Sequence, residues 1–328
     1  MNDIPSEPLH DEASSDDRRT WVHPAGALAR DGWQVVVDSS IAGWRHTALR
    51  VGEPGDTGLG LPAADLERLI VPLHGSFTVG VDAPDDDAPA TERFELAGRP
   101  SVFSGPTDTL FLPPGAAARI TGRGRVAVAE APSTTRRPVR HLPVEAAPVE
   151  LRGRGRASRQ VHDLGTPAVL DADRLIVCEV LTPAGNWSSY PPHKHDEHRP
   201  GVESRLEEIY YFEVEPETGG DGRTGTDPFA LFSASSSPQV HIEIDERVRT
   251  GDVVLLPGGY HGPAAAAPGY DLYYLNVMAG PGDRVWQITD EPGHAWVRQT
   301  WDDEELDPRL PFGAADRRSA DDAKEHTP

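Results

Sequence analysis

The chain carries a single cysteine, Cys178, so no disulfide can form within it, and this fits a reducing compartment. Cys178 lies in the apolar run Leu175-Ile-Val-Cys-Glu-Val-Leu and reads as a packing residue rather than a nucleophile. No stretch approaches the roughly 18 consecutive apolar residues of a spanning helix, which excludes crossing a bilayer that way. Blocks of Lys and Arg are missing too. The 31 basic residues are outnumbered by 53 acidic ones, for a net charge of −22, which argues against a nucleic-acid or anionic-membrane surface. No Gly-x-Gly-x-x-Gly follows a strand-like run, so no dinucleotide-binding fold is signalled. The opening residues Met-Asn-Asp-Ile-Pro-Ser-Glu-Pro are polar and acidic, unlike a secretory signal, and a cytoplasmic protein is expected.

What is present is a succession of short apolar runs punctuated by Gly, Pro and Asp. With 328 residues there is material for one large or two medium domains. Residues 1–20 lack periodic apolar positions and are expected to be a disordered acidic tail. From Trp21 onward runs such as Val35-Val-Val, Leu69-Ile-Val-Pro-Leu and Leu110-Phe-Leu-Pro-Pro-Gly read as strands, with only Ala63 to Arg68 hinting at a helical turn. Many short strands between tight turns imply a β-sandwich or small barrel. Pro132 to Val149 reads as a crossover, which predicts one β unit over 21–145 and a second over 146–300. An acidic tail over 301–328 is expected to be disordered from about residue 313.

The two halves echo one another. Thr109-Leu-Phe-Leu-Pro-Pro-Gly parallels Asp252-Val-Val-Leu-Leu-Pro-Gly-Gly, and Leu69-Ile-Val-Pro-Leu-His-Gly-Ser-Phe-Thr-Val parallels Leu206-Glu-Glu-Ile-Tyr-Tyr-Phe. A duplicated β-barrel follows. After the second turn comes His261, whereas after the first comes Ala116-Ala-Ala-Arg. Metal chemistry is therefore expected in the second copy only, and His46 and His74 read as structural.

In Pro191-Pro-His193-Lys-His195 the two histidines are two apart, so on an extended segment both imidazoles point the same way. Glu207 and Glu208 then open an aromatic, apolar strand, and His261 ends a Gly-x5-Pro-x-Gly-x-His turn. Three imidazoles with one carboxylate suit a borderline divalent cation: zinc, manganese, iron(II) or nickel. His241, on the alternating run Val240-His-Ile-Glu-Ile-Asp, is a reserve ligand.

His-x-His, a glutamate and Gly-x5-Pro-x-Gly-x-His resemble the two signature elements of the cupin superfamily. The spacer Asp196 to Arg205 is longer than in that pattern and is read as a loop at the barrel mouth. Arg174 to Asp196, Leu206 to Phe212, Gly258 to Pro263, Pro268 to Pro281 and His294 to Val297 are similar to the 5-deoxy-glucuronate isomerases of bacterial inositol catabolism. This resemblance spans roughly residues 174 to 297 and is looser in the first half. It implies an all-β bicupin, two tandem cupin-type barrels with the metal in the C-terminal one, held by His193, His195, Glu208 and His261. Glu208 is preferred to Glu207 because the superfamily's ligating glutamate directly precedes its hydrophobic strand. The implied reaction converts 5-deoxy-D-glucuronate to 5-dehydro-2-deoxy-D-gluconate. Tyr210, on the same face as Glu208, becomes a catalytic candidate, and Lys194 a proton-shuttle candidate, although a regular strand points it away from the metal. Arg174, Arg205 and Arg284 are candidates for the substrate carboxylate, and Asn186, Trp187 and Tyr190 for the mouth. The ligand is a small sugar acid, and a homo-oligomer is allowed for. The alternatives are a cupin iron(II) dioxygenase and a non-catalytic sugar-acid-binding cupin.

Overall fold

All seven residues of the strand Ile176–Thr182 are buried, as are nine of the ten in Tyr270–Ala279. A strand stays apolar along its whole length only when both of its faces are covered. In this computed structural model, which describes residues 20–82, 91–217 and 227–313, the second cover is supplied by the other half of the chain. The first half forms an eight-stranded antiparallel sheet around two long strands, Leu66–Asp82 and Ala117–Pro132. The second half forms a seven-stranded and a six-stranded sheet. No helix among the described residues is long and apolar enough to cross a membrane.

Period-two alternation sorts the side chains into three cores. Tyr210, Phe212, Cys178, Tyr274 and Met278 face the interior of the second half. Ile209, Tyr211, Val177, Tyr273 and Val277 face the first half, where Leu69, Val71, Phe111 and Ala129 meet them. Ile70, Phe77, Val79 and Ile120 fill the interior of the first half. Along Leu66–Asp82 the odd-numbered residues change sides, from Leu69 and Val71 outside to Phe77 and Val79 inside. A register shift between Pro72 and His74 causes this, because one extra residue in a strand inverts every later side chain.

The two halves also echo one another in register. Glu208 pairs with Leu256 and Met278, and Arg68 pairs with Leu112 and Glu130. Leu112 and Leu256 each directly precede a proline turn. Their neighbours behave alike. Glu207 accepts the backbone N–H groups of Arg45 and His46, the latter at 2.6 Å. Glu67 accepts those of Asp173, Arg174 and Leu175 at 2.6–2.8 Å. Each half thus caps a loop of the other with one carboxylate. At the position of Glu208 the first half has Arg68, buried and bonded to Glu130, Ala116 O and Pro62 O.

Several expectations need correcting. The proposed helical turn at Ala63 to Arg68 is instead the approach to, and start of, the strand Leu66–Asp82. Val22–His23 pairs with Val253–Leu256, so the first short strand edges the second half's sheet. Asp196 to Arg205 is a hairpin, Asp196–Arg199 paired with Glu203–Arg205, rather than an irregular loop. Residues 301–313 fold back: the Gly155 N–H donates to Glu305 O at 2.8 Å, and Phe312 packs on the inter-half core. Of the segments expected to be disordered, 1–20 and from about 313, residues 1–19 and 314–328 lie outside the described residues.

Candidate metal centre and its cavity

Three strands bring the donors together. His193 and His261 are cross-strand partners, with ring centroids 4.5 Å apart. The hairpin carries His195 back beside Leu206, and Glu208 opens the strand Glu207–Pro216. Donor atoms of His195, Glu208 and His261 all lie within 4.8 Å of one another. His193 lies beside this trio, its ring centroid 6.3 Å from that of His195. Gly262, next to His261, cannot carry a side chain: at φ +100° a Cβ would lie 1.8 Å from Ser189 O.

The hydrogen bonds orient the imidazoles. His195 Nδ1 donates to Leu206 O at 3.2 Å, and His261 Nδ1 to Gly259 O at 3.1 Å. This choice of tautomer turns both Nε2 lone pairs towards Glu208 Oε2, at 3.0 and 3.1 Å. Three lone-pair-bearing atoms converging on one point repel unless a proton or a cation lies between them. His261 Nε2 is also buried without a hydrogen-bond partner. The donor set and this orphaned nitrogen together fit a divalent cation. Burial, reinforced by His261 and His195, holds His193 well below the usual imidazole range and so keeps it neutral. Burial opposes ionisation of Glu208, but the proximity of His195 and His261 outweighs it and brings the carboxyl to about 2. Burial lowers His195, but the neighbouring Glu208 carboxylate outweighs it and raises the group.

The centre opens into a cavity of about 300 Å³ lined by His193, Glu208, Tyr210 and Tyr190, with Tyr274, Ser189 and three arginines. That size is at the small end for ligand sites. Ser189 takes a left-handed backbone at φ 48°. Its Oγ lies 3.3 Å from Tyr210 OH and 3.1 Å from Tyr274 OH. Burial pushes both phenols up, Tyr274 to about 12, so each presents a neutral O–H.

Of the residues singled out from the sequence, His193, His195, Glu208, His261, Tyr210 and Tyr190 are brought together. Glu207 is not with them: it faces the first half, where it caps the loop at Arg45 and His46. Lys194 is not at the centre either. Its side chain points the opposite way, into Asp196, Glu197 and Glu203 at 2.6, 3.0 and 2.8 Å. These carboxylates raise its pKa despite burial, which rules out a shuttle that must release its proton near neutrality. Its partner Asp196 accepts from the Gly259 N–H at 3.0 Å, so this ion cluster supports the turn that carries His261.

Asn186 is buried away from the cavity and donates to Ser158 O and Asp307. Trp187 is 44% exposed and stacks edge-on against Tyr190 in an adjoining groove with Trp301. The three predicted arginines lie elsewhere. Arg284 donates to Leu175 O, Leu170 O and Gly165 O. Arg174 is engaged with Asp173 and Gly282 O, and Arg205 borders a separate cavity beside His46. His241 is exposed and bonded to Ser236, so it is no reserve ligand. His74 is structural, its Nδ1 accepting from the Arg125 N–H at 3.2 Å.

The arginines that do line the cavity, Arg152, Arg159 and Arg298, were not anticipated. Arg152 and Arg159 face each other across the strand pair Val149–Arg152 and Arg159–Asp163. The alternation Arg159-Gln-Val-His-Asp was the available signal: it places Arg159 on the face of Val161, which packs in the interior core.

Comparison with known proteins places this geometry. The oxalate decarboxylases of Bacillus subtilis and Lactobacillus farciminis share the fold at 10% identity, with TM-scores of 0.53 and 0.56. The crystal structure of an IolB-like protein from Salmonella typhimurium is 33% identical with a TM-score of 0.73, over 84% of this chain and 98% of that one. The 5-deoxy-glucuronate isomerase of Geobacillus thermodenitrificans is 37% identical over 82% of this chain and 93% of its own length. That of Listeria innocua is 36% identical over 84% and 94%. The model of the KduI/IolB family matches residues 21–297, a span that takes in every candidate metal ligand, and the chain belongs to that family.

Proposed function

We propose that this chain is a metal-dependent aldose–ketose isomerase that converts 5-deoxy-D-glucuronate to 5-dehydro-2-deoxy-D-gluconate. The two halves are read as tandem cupin-type barrels, with the reaction in the second. The cluster of His195, Glu208 and His261, with the ring of His193 4.5 Å from that of His261, beside a cavity walled by hydroxyls and guanidinium groups carries the reading. In the first half Arg68 stands where Glu208 stands in the second, and Ala117 stands where His261 does. A guanidinium bonded to Glu130 is incompatible with a cation there.

His193, His195, Glu208 and His261 would hold zinc, manganese, iron(II) or nickel. When bound, such a cation polarises the aldehyde and stabilises negative charge on the neighbouring oxygens. The reaction moves one proton from C2 to C1 and one hydroxyl proton from O2 to O1. Ser189, Tyr210 and Tyr274 supply hydroxyls that donate and accept within one network, which suits a proton moving between neighbouring oxygens. Trp286, Ile288, Val161 and Val180 line the remaining wall with apolar surface, keeping water from the carbanionic intermediate.

The test is to load the protein with each metal, add 5-deoxyglucuronate and follow aldehyde-to-ketone conversion by NMR. One metal ion per chain and ketone formation are expected. A His193→Ala variant should be folded, metal-poor and inactive. Oxygen consumption without ketone would replace this reading with an oxygenase, and binding without turnover with a sugar-acid sensor.

A further inference from the structure

We propose that Arg159 forms the carboxylate subsite of this cavity, with the indole of Trp301 as its clamp. The inference rests on the isomerase reading only for the identity of the acid that binds there. Three guanidinium groups line the cavity, and two are already neutralised. Arg152 donates to Glu150 at 2.6 Å and stacks over Trp286. Arg298 holds Asp290 through two nitrogens. Arg159 is only 9% exposed, yet no carboxylate among the described residues forms an ion pair with it. Among the described residues its side chain makes one hydrogen bond, from Nη1 to Ala157 O at 3.1 Å, and its Cζ lies 5.4 Å from the Trp301 ring centroid.

A guanidinium taken out of water without an anion is unfavourable, and such groups persist where a ligand completes them. Burial, with Arg152 and Arg298 adding to it, lowers Arg159 to about 10; it still carries its charge at neutral pH. The planar fork suits two-point binding of a carboxylate. Trp301 is shared by Arg159 and Arg298, whose Cζ lies 5.2 Å from the same ring. The indole contact lies on the side of the adjoining groove, and Arg159 itself lines the cavity. The acid end of the substrate would sit at Arg159 and the aldehyde end at the His/Glu cluster, which sets the direction in which a sugar acid enters. Neutral aldoses would lack this anchor.

The experiment measures binding apart from turnover. The metal-loaded protein is titrated calorimetrically with the C1 alcohol of 5-deoxyglucuronate, which cannot isomerise, and with the C6 carboxamide of that alcohol. The acid is expected to bind at least tenfold more tightly to the wild type. Arg159→Met should abolish this preference and lower kcat/KM by about 10²–10³-fold, mainly through KM. Its metal content should be unchanged, and it should melt at or above the wild-type temperature. Arg159→Lys, which keeps the charge but loses the fork, should retain part of the preference, and it serves if the Met variant does not fold. Equal affinity of the wild type for acid and amide overturns the proposal, as does an undiminished preference in either variant. A wild type that prefers the acid but makes no ketone refutes the isomerase reading and leaves this subsite standing.

Discussion

The buried pair Arg99–Glu179 joins the two halves, and replacing Arg99 with methionine tests how they are held. Arg99, at the end of the strand Glu92–Arg99, grips both oxygens of Glu179 at 2.6 and 2.7 Å and also donates to Gly105 O and Pro72 O. Glu179 is fully buried and further receives His162 and Tyr273. Burial pushes the Glu179 carboxyl up, but Arg99 outweighs it, and the group is held at about 2 against an ordinary 4.5. That difference corresponds to about 3 kcal/mol of stability, fully present above the ordinary pKa and lost as pH falls towards 2.

Removing one partner of a buried pair costs about 3–5 kcal/mol at pH 7, a fall in Tm on the order of 5–15 °C. With Arg99 gone, burial dominates and the folded-state pKa of Glu179 rises above its unfolded value. The variant then gains stability as pH falls towards 4.5, so its deficit should narrow by about 1 kcal/mol or more between pH 7 and pH 4. Adding Glu179→Gln should recover most of the loss at pH 7. Urea unfolding of the wild type, both single variants and the double variant at the two pH values measures this. A deficit under about 1 kcal/mol at pH 7, or one equal at both pH values, refutes the argument.

Other consequences can be checked in the same way. Lys194→Met strands Asp196 and Glu203 and should cost about 3–5 kcal/mol in denaturant unfolding; bound metal, measured by elemental analysis of the folded protein, should stay near stoichiometric. Glu207→Ala leaves the Arg45 and His46 N–H groups uncapped and should lower stability by about 1–3 kcal/mol. The adjacent Glu208→Ala should instead abolish metal binding, so swapped phenotypes would reverse the two assignments. Gly262→Ala forces a Cβ against Ser189 O and should displace His261, seen as weaker metal affinity in a chelator competition.

Alternation, composition and turn spacing were enough to read the all-β class. The His-x-His pair on an extended segment, and the Pro-Gly turn before His261, pointed to the candidate ligands for the same local reason. Side-chain direction along a strand is set by period two, which is written in the chain. Which arginine meets the cavity is not. Arg284 and Arg159 look equivalent as letters, yet backbone carbonyls from three distant segments occupy the first, while the second is buried without an anion. The same holds for Lys194: its direction followed from the strand, but its three carboxylates are assembled by the hairpin Asp196–Arg205. Glu207 and Glu208 are chemically identical neighbours, and the packing of one half against the other made Glu207 a cap while Glu208 faces the histidines. Local geometry is decided by neighbours in sequence; charge pairing and burial are decided by neighbours in space, and these the fold alone selects.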